Sequence, residues 1–341
     1  MERSSFTLDL GAIRRNAATL LRAAGGAALW AVVKANGYGH GAADVADAAL
    51  RGGASALCVA TVDEALELRA VPALDDARII VMGPANEREV REASAARLEL
   101  VLSGGPIPDR IPLHLKIDTG MGRWGLSELP APTRSVIGVM SHLASAESDA
   151  DFTSLQIERF RKATADLSGT PVRHLANSAG TLRYPAASFD AVRCGIALYG
   201  ISPFGSDPAL DGLEPALRWE SYVALAKRLE PGDSTGYGRR YLADEPTWIG
   251  VVPVGYADGF RRDMTGTEVL VDGEPRRVVG TVSMDAFAVE LDHEVVVGTP
   301  VTLVGDGISI EEHARVAGTI GYEIATGLDT SSTRARRTIR E

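Results

Sequence analysis

Eight short apolar runs, each separated from the next by a more polar stretch, constrain the fold of this chain more than any other feature. The predicted strands are Leu29–Val33, Ala56–Ala60, Ile79–Met82, Leu98–Leu102, Leu113–Ile117, Ile137–Met140, Val172–Leu175 and Ala191–Cys194. Amphipathic stretches predict helices at Ala42–Arg51, Val62–Ala70, Glu87–Ala96 and Ser154–Leu167. Such an alternation over about 200 residues predicts an α/β fold, a (β/α)8 TIM barrel.

The character of the sequence changes after about Pro215. Short β-branched runs follow, separated by turn signals such as Pro231-Gly232-Asp233, and these features are typical of antiparallel strands. The predicted strands are Ser221–Leu229, Thr247–Val254, Glu268–Val271, Arg277–Val282, Phe287–Leu291 and Pro300–Val304, with one helix at Ile310–Thr319. We therefore expect a barrel over residues 11–215, a mostly antiparallel β domain over residues 216–341, and an N-terminal strand within residues 1–10 that joins the β domain.

Composition excludes several classes of protein. The formal net charge of −10 argues against a nucleic-acid or anionic-membrane surface. No apolar run reaches the length of about 18 residues that a transmembrane helix needs, and residues 1–11 lack the apolar core of a signal peptide. Two cysteines, Cys58 and Cys194, lie in apolar runs and favour a reducing, cytoplasmic compartment. The histidines lack metal-binding spacings, so we expect no metal.

Lys34 is the most informative candidate for chemistry. It ends the apolar run from Ala27 to Val33, and Gly37, Gly39 and Gly41 follow it. Burial lowers the pKa of an amine, which is what a Schiff-base lysine needs. The alternative is a lysine whose amine reaches solvent from an ordinary strand end.

Polar clusters follow other predicted barrel strands, at the end where barrel active sites lie. They are Lys116–Arg123, Ser141-His142, Asn177–Ala179 and Arg193–Ile196. Loops after the seventh and eighth strands of such barrels commonly bind phosphate, which makes Ser178, Gly195 and Ile196 candidates. A phosphate site and a Schiff-base lysine in one barrel indicate pyridoxal 5'-phosphate.

These motifs, with four further short motifs, resemble those of the pyridoxal-phosphate-dependent alanine racemases. The matching segments are Val32–Gly41, Lys116–Arg123, Asn177–Ala179, Arg193–Gly200, Tyr237-Gly238, Gly255–Gly259, Ser283–Asp285 and Gly321–Glu323. The resemblance runs from about Phe6 to about Tyr322. It implies interconversion of L-alanine and D-alanine, with D-alanine supplied for peptidoglycan.

The resemblance assigns the two catalytic bases to Lys34, which also carries the cofactor, and Tyr237. Two opposed bases fit the chemistry, because racemisation exchanges a proton on both faces of one carbon. Arg193 is implied to face the pyridine nitrogen. Since arginine keeps its proton, that nitrogen stays unprotonated and the ring is a weaker electron sink. Arg123 is implied to hold the substrate carboxylate.

Further residues receive roles only from this resemblance. Tyr38, Ser178 and Tyr322, with Gly195 and Ile196, would bind phosphate, and His142 and Asn177 would form a hydrogen-bonded relay behind Arg193. Tyr256, Met284 and Asp285 would come from a partner subunit to the mouth of the site, which requires a homodimer with shared active sites. Lys116 would be carbamylated and pair with Arg123; a plain buried ion pair is the alternative.

The sequence departs from the family pattern before Tyr237, where Ser234-Thr235-Gly236 stands, and in its short tail from Ser331. The expected consequences are a looser or reshaped catalytic turn and altered substrate choice and dimer stability. Three other functions stay open. They are a racemase of serine or another small amino acid, a non-catalytic carrier of pyridoxal phosphate, and an amino-acid decarboxylase. The β domain argues against the carrier, and Arg193 and Arg123 argue against the decarboxylase.

Overall fold

The computed structural model describes residues 2–108, 111–167 and 171–341. The chain divides into two compact units. One comprises Ala12–Phe204 and Pro208–Glu214, and the other comprises Met1–Gly11, Gly205–Asp207 and Pro215–Glu341. The predicted fold class, a TIM barrel with a mostly antiparallel β domain, is confirmed.

The first unit is a closed barrel of eight parallel strands. They are β2 (Ala28–Val32), β3 (Ala56–Val59), β4 (Ile79–Val81), β5 (Glu99–Leu102), β6 (Leu113–Lys116), β7 (Val136–Met140), β8 (Val172–His174) and β9 (Ala191–Cys194). Most of their residues are buried. Strands covered on both faces read as continuous apolar runs, and for this reason all eight predicted strands are found within a residue or two. Cys58 and Cys194 lie in this core as free thiols.

Side-chain caps begin four of the six α-helices described here in the barrel unit. The six helices are α1 (Leu10–Ala23), α2 (Ala42–Arg51), α3 (Val62–Arg69), α4 (Glu87–Ala95), α5 (Ala150–Ala163) and α6 (Ser178–Arg183). Thr61 and Asn86 each form a capping box, in which the cap side chain and the third helical residue satisfy each other's backbone N–H groups. The prediction for α5 began four residues late. Asp149 is its cap, because its carboxylate accepts a hydrogen bond from the Phe152 amide at 2.9 Å.

The second unit is built on a nine-stranded sheet in the order β11-β14-β17-β16-β15-β18-β10-β1-β19. The strands of this unit are β1 (Ser5–Asp9), β10 (Leu217–Tyr222), β11 (Leu225–Leu229), β12 (Ser234–Thr235), β13 (Tyr241–Leu242), β14 (Thr247–Val252), β15 (Glu268–Val271), β16 (Glu274–Val279), β17 (Phe287–Leu291), β18 (Pro300–Val304) and β19 (Arg336–Arg340). The N-terminal β1 pairs antiparallel with β10 and parallel with β19.

Several elements of this unit differ from the sequence prediction. The two-residue strands β12 and β13 were not predicted, and β16 starts three residues before the predicted strand Arg277–Val282. The single strand expected at Ser221–Leu229 is two strands, because the chain changes partners there: Val223 donates to Thr299 and Ala224 donates to Val251. Strand β19 was not predicted, since its sequence RRTIR has no apolar pattern and it is largely exposed. Helix α7 (Ile310–Ala317) matches the expected helix, but a second one, α8 (Gly321–Thr326), follows it.

Within the described ranges, no helix combines the length and hydropathy needed to cross a membrane. Transmembrane helices require about 20 predominantly apolar residues.

Gly138 in β7 makes room for a histidine inside the barrel. A Cβ atom at this position would lie 1.9 Å from Nδ1 of His114. The His114 side chain is fully buried and hydrogen-bonded through both ring nitrogens, so it cannot move aside cheaply.

We predict that Gly138→Ala lowers the free energy of unfolding by about 2–3 kcal/mol or more, since overpacking displaces a buried side chain. Gly104→Ala is the matched control, because nothing lies within 4 Å of a Cβ at that position. Urea unfolding followed by circular dichroism measures both. Equal stability of the two variants would contradict this packing account.

Candidate active site

Lys34 leaves β2 into a turn of left-handed backbone. Ala35, Asn36 and Gly37 have φ values of 52°, 50° and 61°, a conformation that costs non-glycine residues about 1–2 kcal/mol each. Glu64 holds this turn: its carboxylate accepts the Ala35 amide at 2.7 Å, and its second oxygen accepts the Ala60 amide at 2.7 Å. The lysine is therefore presented at the carboxyl end of the barrel by a backbone fixed from two loops.

The electrostatic surroundings of the Lys34 amine favour its neutral form. Burial lowers the pKa of Lys34, and the charge of Arg123 lowers it further, against the opposing charges of Glu64 and Cys58. This is the direction expected for an amine that reacts as a nucleophile or a base.

Arg193 is a cation buried inside the barrel, with only 2% of its surface exposed. Its Nη1 donates to the Nδ1 and the carbonyl of His174 at 2.9 and 2.8 Å. Its Nη2 donates to the carbonyls of Ser141 and Leu175 at 2.7 and 3.1 Å and lies 3.3 Å from Nδ1 of His142. These acceptors take up all four hydrogens on Nη1 and Nη2 of Arg193. Among the described residues, Nε–H has no hydrogen-bond partner, so it is the donor left for a ligand.

Burial and the charge of Arg193 together determine the protonation states in this cluster. Burial lowers the pKa of Arg193 itself to about 10, which leaves it protonated at neutral pH. Burial and the Arg193 charge hold the pKa values of His142 and His174 well below the ordinary histidine value. Both imidazoles are therefore neutral at neutral pH. Asn177 does not join this cluster within the described chain; its side-chain oxygen caps α6 by accepting the Gly180 amide at 2.9 Å.

Tyr38, Ser178 and Gly195 meet in a small cradle. A Cβ on Gly195 would lie 2.4 Å from the Tyr38 hydroxyl, so only glycine fits there. The Ser178 oxygen accepts the amides of Gly195 and Ala197 at 3.1 and 3.3 Å, which leaves its own hydrogen to donate. Ile196 follows at the start of a short 3-10 helix, Ile196–Tyr199.

Lys116 and Arg123 share an aromatic neighbour that the sequence analysis did not single out. The Trp124 ring centroid lies 5.6 Å from the Lys116 amine and 5.5 Å from the Arg123 guanidinium carbon, within reach of a cation–π interaction. Burial lowers the pKa of Lys116 to about 8, and the charges of Arg123 and Arg193 act in the same direction. Across the described residues, Lys116 forms no salt bridge of the kind considered as an alternative.

The remaining site candidates lie in the second unit. The Tyr256 amide donates to the carbonyl of Ser283 at 3.1 Å and thus joins its turn to the Met284–Asp285 loop. Arg3 and Arg334 each bridge Asp258 and Asp285, which ties both chain ends to this loop. Tyr237, Tyr256 and Met284 are 74%, 43% and 53% exposed. Tyr322 lies in α8, and Arg261 holds that helix through a 2.7 Å salt bridge to Glu323.

The turn that carries Tyr237 packs closely against Thr281. Gly236 has a φ of 78°, and a Cβ there would lie 2.8 Å from the Thr281 amide nitrogen. Thr281 also donates its hydroxyl to the Tyr237 carbonyl at 2.8 Å. Glycine therefore permits close backbone packing at this position.

The barrel with a strand-end lysine, a buried arginine and a serine–glycine cradle, together with a separate β unit, defines a class of two-domain barrel enzymes that act on amino acids. Two family models match the chain: the alanine racemase N-terminal domain over residues 8–203 and the alanine racemase C-terminal domain over residues 216–337. The chain belongs to the alanine racemase family.

Individual relatives agree with this assignment. The chain is 39% identical to an alanine racemase of Lactiplantibacillus plantarum, with 95% of each covered. It is similar to the crystal structure of the biosynthetic alanine racemase from Pseudomonas aeruginosa, with a TM-score of 0.90, 37% identity and 100% of both chains covered. An alanine racemase structure from Bartonella henselae, described with covalently bound pyridoxal phosphate, has a TM-score of 0.87 at 27% identity and covers 99% of each chain.

We predict that Lys116 loses its proton near pH 8, well below the usual lysine pKa of about 10.4. Because its pKa is lowered, the neutral amine accumulates as pH rises through 8. Reductive methylation with [13C]formaldehyde and NMR titration measures this, and Lys116→Arg identifies the signal. The exposed Lys162 and Lys227 serve as internal controls. A Lys116 midpoint no lower than those of both controls would contradict the account.

Proposed function

We propose that this protein is a pyridoxal-phosphate-dependent alanine racemase that interconverts L-alanine and D-alanine by two-base proton exchange, with D-alanine destined for peptidoglycan. The observation that carries the proposal is the buried Lys34 amine at the same barrel end as the uncommitted Nε–H of Arg193. Family membership supports the reaction and the substrate. The two buried free cysteines fit the cytoplasm.

The residues present fit the cofactor. Lys34 would carry it through its amine, and the Nε–H of Arg193 would donate to its ring nitrogen. The hydroxyls of Tyr38 and Ser178 with the amides of Gly195 and Ile196 would hold its phosphate at the start of the 3-10 helix, and Tyr322 would complete this set. Bound there, pyridoxal phosphate supplies an electron sink for negative charge at the substrate Cα.

Two side chains of this protein would move the proton. The Lys34 amine, whose pKa is lowered by burial, would take the Cα proton on one face when neutral and return a proton when protonated. The phenol of Tyr237 serves the opposite face, with its backbone held by Thr281. Each is expected to contribute a factor of roughly 10²–10⁴ to the rate, as positioned acid–base groups do.

Three cations set the outcome of the reaction. Arg193 donates a hydrogen bond but keeps its proton, so negative charge at Cα is stabilised less and is shorter-lived. Arg123 would hold the substrate carboxylate in place, with His142 and Asn177 behind the cofactor. Lys116, whose pKa is about 8, offers the neutral amine that carbamylation by carbon dioxide requires, and its carbamate would pair with Arg123.

We further propose a homodimer in which each site takes residues from both subunits. The support is the exposure of Tyr237, Tyr256 and Met284 on one β unit, since large apolar side chains gathered at a surface are typical of protein interfaces. Asp285, fixed by Arg3 and Arg334, would accompany them to the partner's site mouth. The matched relatives named above are alanine racemases, so we propose alanine as the substrate in place of serine.

Doubly tagged hybrid dimers test the shared site. A purified hybrid of Lys34→Ala and Tyr237→Phe chains keeps one intact site of two, so we predict about half the wild-type rate of D-alanine formation. The two parent homodimers should be at least roughly 10²-fold slower. L-serine as substrate under the same conditions tests the alternative.

A second hybrid provides the matched control. Wild-type chain paired with a Lys34→Ala/Tyr237→Phe chain carries the same two substitutions but has no intact shared site, so it should be as slow as the parents. An active control hybrid with an inactive first hybrid would show that each site is built from one chain. Wild-type protein that forms no D-alanine in the presence of pyridoxal phosphate would overturn the proposed function.

A further inference from the structure

A line of polar side chains crosses the barrel interior and ends at Arg193. It starts at Glu99, the first residue of β5, which Arg78 holds by two hydrogen bonds of 2.8 and 2.9 Å. Glu99 Oε2 lies 2.8 Å from Nε2 of His114, and Nδ1 of His114 lies 2.9 Å from Nε2 of His174. His174 Nδ1 in turn meets Arg193 at 2.9 Å. Both imidazoles are fully buried.

The direction of every hydrogen bond in this line follows from Arg193. A guanidinium only donates, so Nδ1 of His174 must be an acceptor. A neutral imidazole has one N–H, which places the hydrogen of His174 on Nε2. His114 must then accept through Nδ1, and its own hydrogen lies on Nε2, directed at the Glu99 carboxylate.

The opposite end requires the same arrangement. Burial alone would raise the pKa of Glu99, but hydrogen bonds from His114 and Arg78 hold it below the usual value. Glu99 is therefore an anion that accepts from Nε2–H of His114. Burial lowers the pKa of His114 as well, which keeps that ring neutral with a single hydrogen. The Glu99 carboxylate and the Arg193 guanidinium therefore require the same tautomer, Nε2–H, in both His114 and His174.

The ring of Trp30 packs against this line of polar side chains. Its centroid lies 4.5 Å from the His174 ring, 5.6 Å from the His114 ring and 4.7 Å from the Arg78 guanidinium carbon. Water has little access to groups packed in this way, so a lost hydrogen bond would not be replaced cheaply.

We propose that Glu99 is a positioning residue for Arg193: through fixed Nε2–H tautomers of His114 and His174, it holds the guanidinium so that Nε–H is the donor offered to the cofactor. The role of Arg193 toward the cofactor rests on the proposed function, whereas the relay itself does not. We call Glu99, His114 and His174 the tautomer relay.

Substituting Glu99 by glutamine preserves shape while removing the anion. Its amide nitrogen would face Nε of Arg78 in one orientation, and both Nη2 of Arg78 and Nε2–H of His114 in the other. Each orientation places donors against each other, and the first leaves His114 an uncharged oxygen, which accepts more weakly than a carboxylate. Glu99→Asp retains the charge, and Glu92→Gln, which removes a carboxylate paired with Arg88 on helix α4, is the matched control.

The first measurement uses the full chain labelled with 15N-histidine, without cofactor. Long-range 1H–15N spectra report the tautomer of each ring, and His114→Asn and His174→Asn identify the signals. We expect Nε2–H for both rings in the wild type and in Glu92→Gln. In Glu99→Gln we expect an altered His114 signal, either an upfield Nε2–H proton from the weaker acceptor or a changed tautomer. Nδ1–H on either ring of the wild type, or an unaltered His114 signal in Glu99→Gln, would overturn the relay.

The second measurement uses the holoenzyme. We expect Glu99→Gln to lower kcat for alanine by roughly tenfold to a hundredfold with KM nearly unchanged, as small misplacement of a reacting group does, and to shift the absorption maximum of the bound cofactor. Glu99→Asp should recover part of both effects. An altered His114 signal with an unaltered absorption spectrum and kcat would overturn the positioning role. Absence of racemase activity in the wild type would instead refute the proposed function. The relay would then be tested by the histidine spectra of the apoprotein alone.

Discussion

The structure depends on the burial of one positive charge inside a parallel barrel. An isolated guanidinium in such a place would be strongly unfavourable. Three backbone carbonyls and neutral imidazoles accept its hydrogens, and the pKa values of the surrounding histidines fall accordingly. Position 138 must be glycine for the same reason, because a larger residue would leave no space for His114. A hydrogen-bonded line of polar side chains thus crosses a barrel core whose strands are mostly apolar.

Lys34 imposes a second, local constraint. Its strand ends in left-handed backbone, which is tolerated only when the surroundings determine it. Glu64 holds this backbone in place, because its carboxylate accepts hydrogen bonds from amides of two loops. The Tyr199 hydroxyl donates to the carbonyl of Val32, just before the lysine, at 3.0 Å. A rigid backbone leaves the lysine side chain as the flexible part, which suits an amine that must reach both cofactor and substrate.

The barrel could be predicted from sequence because its strands are buried on both faces and bounded by helices. The division of Ser221–Leu229 between β10 and β11 could not be predicted, because a change of strand partner depends on tertiary contacts and leaves no local signal in the sequence. Candidate residues in the barrel clusters were found because they follow predicted strands, whereas those of the second unit came only from the family resemblance. Their assigned roles stay predictions. The tautomer relay was missed because its members lie on different strands, and their register is invisible in one sequence. One signal was present: His114 and Lys116 are two residues apart on a strand and share a face.

The most direct test of the two-base account is the fate of the Cα proton at early reaction times. L-alanine is converted in deuterated water, and 1H NMR with chiral analysis follows both enantiomers. Two bases on opposite faces predict that the D-alanine formed first carries deuterium while the remaining L-alanine keeps its proton, with the mirror result from D-alanine. Substantial retention of the original proton in the product would show that a single base moves it between faces, and would contradict the roles proposed for Lys34 and Tyr237.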